Sequence, residues 1–312
     1  MTSPAVAALL LVIIGLAALA VLVNRWVPAQ PVPRVTRQDI RRDFDAEQVS
    51  RERRFRRRVR PWALAGLALD IATPTVIAAS GVAATLSARV CQGSSQRWPL
   101  AVAAVVTLVM ATARVLTLPG AISTRLAALE IGLAAGSWRR WVRDVLLAFV
   151  LGWLITLVAC LALVAAARYW PEGWWLPAAI AASAVVVVLS FLIPVLIEPL
   201  FARFQPLDDG PLRQELLSLA ARDGVRVGDV LVNDASNRTT ALNAYVSGLG
   251  STRRIVVHDT LLTAEPDEVR AVVAHELGHV VAADVRTGTI LGALGAALGV
   301  AALYLALQWS PL

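Results

Sequence analysis

The residues best suited to chemistry lie in one short segment, His275-Glu276-Leu277-Gly278-His279. Two imidazoles stand four residues apart, with a carboxylate beside the first. On a helix, residues i and i+4 share a face about one turn apart. Both rings can then reach one Zn2+ at about 2.0–2.1 Å. From its position next to the first ligand, Glu276 reaches a water at the metal rather than the metal, which is the place of a general base. The chemistry this pattern predicts is metal-assisted hydrolysis of a peptide bond. Two of the chain's three histidines belong to the segment. The third, His258, closes a β-like run just before Asp259 and is expected to be a hydrogen-bonded strand-end residue. Gly278 leaves room for something to pack closely against the helix. The uncharged flanks Val272-Val273-Ala274 and Val280-Val281 suit a buried site.

The elements that must position this segment are legible around it. A helix is expected after Thr263, with Pro266 in its first turn and Asp267 and Glu268 complementing its dipole. Val269, Val272, Val273 and Val280 give it an apolar rhythm. Ahead of it lie three strand-like runs, Val230–Val232, Ala241–Leu249 and Arg254–His258, with turns marked by Asn237 and Gly250-Ser251. An earlier helix, capped by Asp208 or Asp209, carries Leu212, Leu216, Leu217 and Leu219 up to Asp223-Gly224.

The rest of the chain is apolar. Of 312 residues, 57% are hydrophobic and 16% charged, against roughly 25% charged in an average soluble chain. The mean hydropathy is +0.66. These values exclude one water-soluble core and exclude disorder. Six runs are long enough to span a bilayer, at about 20 residues each: Ala5–Val23, Trp62–Ser87, Leu100–Leu118, Val145–Ala167, Pro177–Ile197 and Gly288–Leu307. The predicted organisation is a first anchor at 1–24, a basic loop at 25–61, a four-span region at 62–197, a small domain at 198–287 and a last span at 288–312. Arginine sets the orientation, since the chain has no lysine. Twelve Arg fall in 25–61, four in 119–144 and nine in 198–287, while the opposite side keeps only Arg89, Arg97 and Arg168. Positive residues stay on the cytoplasmic side, so the 198–287 domain is expected there, in a multi-pass protein of a bacterial inner membrane.

The net charge of +7 is local, with eleven Arg and five acids between Arg34 and Arg60. This stretch is expected to orient the chain and to meet anionic lipid headgroups. It interleaves no aromatic residues beyond Phe44 and Phe55, so nucleic acid is not an expected partner. Cys91 and Cys160 are too few for a disulfide framework. At membrane depth, Asp70 and Arg114 are expected to pair, and Pro74 to kink its span. A transporter with these charges would show internal repeats, and none is evident. Gly288, Gly292, Gly295 and Gly299 predict close helix packing in the last span.

Taken together, the spans, the intervening domain and Val272-Val273-Ala274-His275-Glu276-Leu277-Gly278-His279 resemble the integral-membrane zinc metalloproteases of the type I CAAX prenyl endopeptidase family. Glu198-Pro199-Leu200-Phe201 with Phe204-Gln205-Pro206-Leu207 is similar to that family's lead-in to its domain. Asn243-Ala244-Tyr245 with Gly248-Leu249-Gly250 resembles its substrate strand, and Leu129-Glu130 with Gly132 another of its features. The resemblance implies a mainly α, polytopic helical bundle of about six transmembrane helices with a small α+β zincin-like domain between the fifth and sixth. It implies Zn2+ as cofactor, His275 and His279 as ligands and Glu276 as base. It also implies that Asn243, Ala244 and Tyr245 form an edge strand holding an extended, membrane-associated or CAAX-like peptide by main-chain hydrogen bonds.

In that family the third ligand is a Glu in an E-x-x-x-D motif on a later helix. No Glu follows Glu276 here, and Asp284 is the only carboxylate downstream of it. The third ligand is therefore expected beyond Leu312, the chain being a piece of a longer protease. The alternative is a catalytically inactive, truncated homologue acting as a binding or scaffold protein.

Overall fold

The computed structural model describes residues 3–26, 45–248 and 250–308. The part of the basic stretch at 27–44 lies outside the described residues. Six helices are long and apolar enough to cross a membrane, one for each run expected from the sequence. The chain divides into two compact units, residues 30–165 and residues 1–29 with 166–312.

The 30–165 unit is built on α2 (Ala46–Ala79), α3 (Val82–Cys91), α4 (Trp98–Glu130) and most of α5 (Trp138–Tyr169). The 25–61 segment is not a loop throughout, because α2 begins sixteen residues before Trp62. A capping box starts it. Asp45 accepts from the Gln48 backbone N–H at 2.7 Å, and the Gln48 side chain accepts from the Asp45 N–H at 2.9 Å. Arginine is a good helix former, so the basic run extends the span into water. Neither Pro61 nor Pro74 ends the helix. Gly81, at φ 73°, separates α2 from α3 and divides the expected Trp62–Ser87 run.

The C-terminus of α4 is held by α2. Arg51 donates to the Ile131 carbonyl at 2.7 Å, and Arg58 pairs with Glu130. Gly132 makes the turn at φ 74°. Arg125 is buried, donates to the Ala135 and Gly136 carbonyls at 3.2 and 3.0 Å, and lies over the rings of Trp138 and Trp141. The expected pairing of Asp70 with Arg114 does not form among the described residues. Asp70 is exposed, while Arg114 lines a cavity with Trp141 and Asp144 and keeps a buried Nε without a partner. Similar depth on adjacent helices does not ensure that two side chains face each other, because each helix's rotation is set by its other contacts.

The second unit joins α1 (Ser3–Trp26), α6 (Trp175–Leu192) and α10 (Asp284–Gln308) in a bundle, with the small domain between α6 and α10. Of the four glycines in the last span, only Gly292 meets a neighbour closely, with a Cβ there standing 3.2 Å from Val186 of α6. The tightest approach is reversed: Gly15 of α1 receives Leu298 of α10, at 2.5 Å from where a Cβ would be. Ser183 of α6 donates to the Ala293 carbonyl at 2.9 Å. Buried Tyr304 donates to the Glu172 carbonyl and packs edge-on to Trp174.

A π-helical turn at Ile193–Ile197 and the short α7 (Glu198–Phe201) lead into the domain. Its sheet has the order β1-β2-β4-β3, with β1 (Phe204–Pro206), β2 (Asp229–Asn233), β3 (Ala244–Ser247) and β4 (Arg254–His258). β2 and β4 are parallel, and β3 runs antiparallel to β4 on the edge. Strand β1 was not expected. Helix α8 (Pro211–Arg222) starts from Gly210 with Pro211 in its first turn and no side-chain cap. Asp209 pairs with Arg213 instead of capping. Leu216, Val230, Ile255 and Val257 form the core with Val269, Val273 and Leu277 of α9 (Pro266–Val281).

Candidate metal centre

The core face of α9 aims the site. Val269, Val273 and Leu277 recur every four residues and are at most 1% exposed. Fully burying each such side chain contributes about 1.5–3 kcal/mol, so the helix cannot rotate. His275 and His279 each lie two residues, about 200°, from a buried neighbour and are presented outward. Glu276 sits on the flank, half-buried. The imidazoles are exposed and a Cβ at Gly278 would meet nothing within 4 Å. The expected burial of the site and the expected close approach at Gly278 are thus absent among the described residues. Of the uncharged flanking residues, Val272, Val273 and Val280 pack in or against the domain core instead, while Val281 is exposed.

The ligand atoms of His275, Glu276 and His279 lie within 4.8 Å of one another. The two Nε2 atoms are 3.2 Å apart. Two nitrogens bound to one tetrahedral zinc at about 2.0–2.1 Å stand about 3.3 Å from each other, so the pair fits the ion. The rings meet edge to face, with centroids 4.8 Å apart. Nδ1 of His279 is 2.6 Å from Oδ2 of Asp284. With its proton on Nδ1, given to the carboxylate, His279 offers a lone pair at Nε2. The Asp284 hydrogen bond also pushes the His279 pKa above its ordinary value. In the sequence Asp284 stands out only as the one carboxylate after Glu276, and its position five residues after His279 is the signal for this other role.

The strand expected over Ala241–Leu249 is shorter, Ala244–Ser247, and lies at the edge of the sheet with Asn243 just outside it. Asn243 is exposed just before β3, Ala244 is buried and Tyr245 half-buried. The His258 N–H donates to the Asn243 carbonyl at 3.0 Å. In the antiparallel register, hydrogen-bonded pairs then alternate at Asn243, Tyr245 and Ser247, and the backbone groups of Ala244 and Val246 point away from β4. Burial, followed by the Glu198 charge, pushes the Tyr245 phenol up, so it stays protonated. Ser247 donates to Glu198 at 2.9 Å, and Arg254, its register partner, donates to the Pro194 carbonyl at 2.7 Å. The end of the strand pair is thereby tied to the end of a membrane helix. His258 is not part of the metal cluster. It is half-buried, and Tyr245 packs edge-on against its ring.

Comparison with known proteins places this geometry in a family. The profile described as "CAAX prenyl protease N-terminal, five membrane helices" matches residues 28–203, more than half of the chain. The profile of peptidase family M48 matches residues 206–310, which contain the histidine pair. The chain belongs to the CAAX prenyl protease family of M48 metallopeptidases. Within this family it is 31% identical over 161 residues to the "uncharacterized metalloprotease YhfN" of Bacillus subtilis, a match covering 51% of this chain and 38% of that protein. It is 46% identical over 98 residues to "CAAX prenyl protease 1" of Saccharomyces cerevisiae, covering 30% of this chain and 22% of that one. The chain thus spans well under half the length of these curated relatives. The crystal structure of S. mikatae Ste24p superposes with a TM-score of 0.71 at 21% identity, over 96% of this chain and 72% of that one, and shows a common fold.

Proposed function

We propose that this chain carries the imidazole pair and the general base of a membrane-embedded zinc endopeptidase that cuts extended peptides close to a membrane surface. The observation behind the proposal is the convergence of His275, Glu276 and His279 within 4.8 Å on a helix whose rotation the domain core fixes. Zinc, when bound, supplies Lewis-acid polarisation of the scissile carbonyl and acidification of the attacking water. His275 and His279 would hold it through Nε2. Glu276 accepts the proton from the attacking water and later passes it to the leaving amine. A catalytic zinc takes three protein ligands. Since Asp284 is engaged with His279, the third in this reading is another carboxylate.

The open edge of β3 suits an extended substrate, with Ala244 and Val246 offering its main chain two donors and two acceptors. The motif lies close to the bilayer. α10 begins at Asp284, whose Oδ2 lies 2.6 Å from Nδ1 of His279. Peptides held at the membrane, CAAX-like tails among them, are therefore the substrate class. The arginine asymmetry supports a cytoplasmic site in a bacterial inner membrane.

Glu276→Gln in the full-length protein tests the reading. Zinc content should stay near one per chain while cleavage of a fluorogenic peptide is lost. Cleavage retained by the variant would remove Glu276 from the mechanism. Wild-type protein that takes up no zinc would favour a scaffold role instead.

A further inference from the structure

We propose that Arg53, Arg56, Arg57 and Arg60 form a built face on α2 that binds the phosphates of anionic lipid headgroups. The proposal rests on the reading of α2 as a membrane span whose basic end is cytoplasmic, and it names the residues that meet the lipid.

The seven arginines of α2 divide by face. Arg51 and Arg58 are committed to the Ile131 carbonyl and the Glu130 carboxylate, on the side where Phe55 and Val59 are half-buried, and Arg54 lies exposed between them on that side. Arg53, Arg56, Arg57 and Arg60 are spaced i, i+3, i+4 and i+7, all exposed, and together line a cleft of about 330 Å³. One carboxylate answers them, since Glu52 pairs with Arg56. Arg53, Arg57 and Arg60 have no hydrogen bond or ion pair among the described residues. Like charges at i,i+3 and i,i+4 oppose helix formation. An anion held between these guanidiniums would relieve that repulsion. Arginine's planar fork suits a tetrahedral phosphate, which it can grip with two parallel hydrogen bonds.

Position selects the lipid as the source of that phosphate. The apolar part of α2 begins right after Arg60 and Pro61, at exposed Trp62, an aromatic suited to the interface. From Arg60 to Arg53 the helix rises about 10 Å at 1.5 Å per residue. The headgroup layer is about 5–7 Å deep on each side of the hydrocarbon. With Arg60 at the hydrocarbon edge, Arg57 and Arg56 stand about 4.5 and 6 Å further out, within that depth, and Arg53, about 10 Å out, lies just beyond it. A soluble polyanion would have to displace headgroups to reach the lower three.

The test uses the full-length protein in detergent, titrated with phosphatidylglycerol or with zwitterionic phosphatidylcholine, bound lipids being counted by native mass spectrometry. Each basic residue near an anionic surface contributes about fivefold in affinity. Wild type should prefer phosphatidylglycerol by at least tenfold. The variant Arg53→Gln/Arg56→Gln/Arg57→Gln/Arg60→Gln should lose that preference, and the four-lysine counterpart should keep most of it. Unchanged preference in the glutamine variant, or none in wild type, overturns the proposal. Displacement of the lipid by millimolar inorganic phosphate would show that soluble phosphate is the ligand. Displacement by a short oligonucleotide at lower concentration would assign the face to nucleic acid. Thiol labelling of Glu47→Cys from the cytoplasmic side checks the topology separately, so a failed lipid preference is not confused with an inverted chain.

Discussion

Asp284, the first residue of the last span, places Oδ2 2.6 Å from Nδ1 of His279, at the end of the helix that carries the metal motif. Ala283 between the two helices makes this contact by adopting φ 58°. The carboxylate fixes the tautomer and turns Nε2 toward His275. Carboxylate partners of ligating imidazoles typically contribute 10–100-fold in metal affinity. Asp284→Ala should therefore weaken zinc binding by about 10–100-fold in competition with a chromogenic chelator, with the fold retained. An unchanged zinc affinity would show that the imidazole is oriented by something else.

The same joint predicts a gain from one substitution. A non-glycine residue in the left-handed region costs about 1–2 kcal/mol. Ala283→Gly removes that cost and adds back some unfolded-state freedom. The net expectation is a stability equal to or above wild type, read as the apparent Tm. A marked fall would mean that the Ala283 methyl packs in a way that outweighs its backbone strain.

Why was Asp284 legible only as a carboxylate, and not as the partner of His279? Its contact depends on a reversal at an alanine, and no local pattern signals positive φ at that residue type. The histidine pair was legible because helical periodicity places its two rings without reference to anything else. The spans were legible by length and apolarity alone. The helical start of α2 was masked by charge. Hydropathy marks Arg51–Arg60 as a loop, although Asp45 and Gln48 carry the capping-box spacing and arginine favours helix. The missed cap at Gly210 and the unmade Asp70–Arg114 pair depend on packing and helix rotation, which spacing in one chain does not encode.

The edge strand separates binding from folding. The N–H of Val246 points away from β4, whereas that of Tyr245 points toward it. Proline is tolerated at an edge where the lost N–H faces outward. Val246→Pro should keep zinc and fold but raise the KM for a peptide substrate by about 3–10-fold, matching one lost main-chain hydrogen bond. Tyr245→Pro should instead lower the apparent Tm. If both variants only destabilise, β3 does not pair with substrate.

His258 gives the domain a pH dependence. Its pKa is pushed below the ordinary value chiefly by burial, and its Nδ1 is buried without a hydrogen-bond partner. The unfolded chain then takes up the proton first, at about pH 6.5. Stability falls as pH drops from there toward the folded pKa, because the unfolded state binds more protons in that window. The apparent Tm should be lower at pH 5.5 than at 7.5, and His258→Gln should shrink the difference. An equal difference in the variant would assign the effect to other groups.

Two glycines with opposite surroundings make the last test. Gly248, which ends β3 at φ 86°, would place a Cβ 2.4 Å from the Thr252 carbonyl oxygen. Gly248→Ala thus meets both a left-handed backbone and a backbone clash, and should destabilise by at least the 1–2 kcal/mol of the first alone. Gly278, within the metal motif, has nothing near its missing Cβ. In a helix interior Gly→Ala contributes about 0.5–1 kcal/mol, so Gly278→Ala should raise the apparent Tm and leave zinc affinity unchanged. Peptide cleavage then reports what comes near that face during turnover. If Gly278→Ala lowers kcat/KM by tenfold or more while the fold and metal are intact, substrate or another segment of the protein closes over the helix there. Unchanged cleavage would show that the glycine serves no close approach.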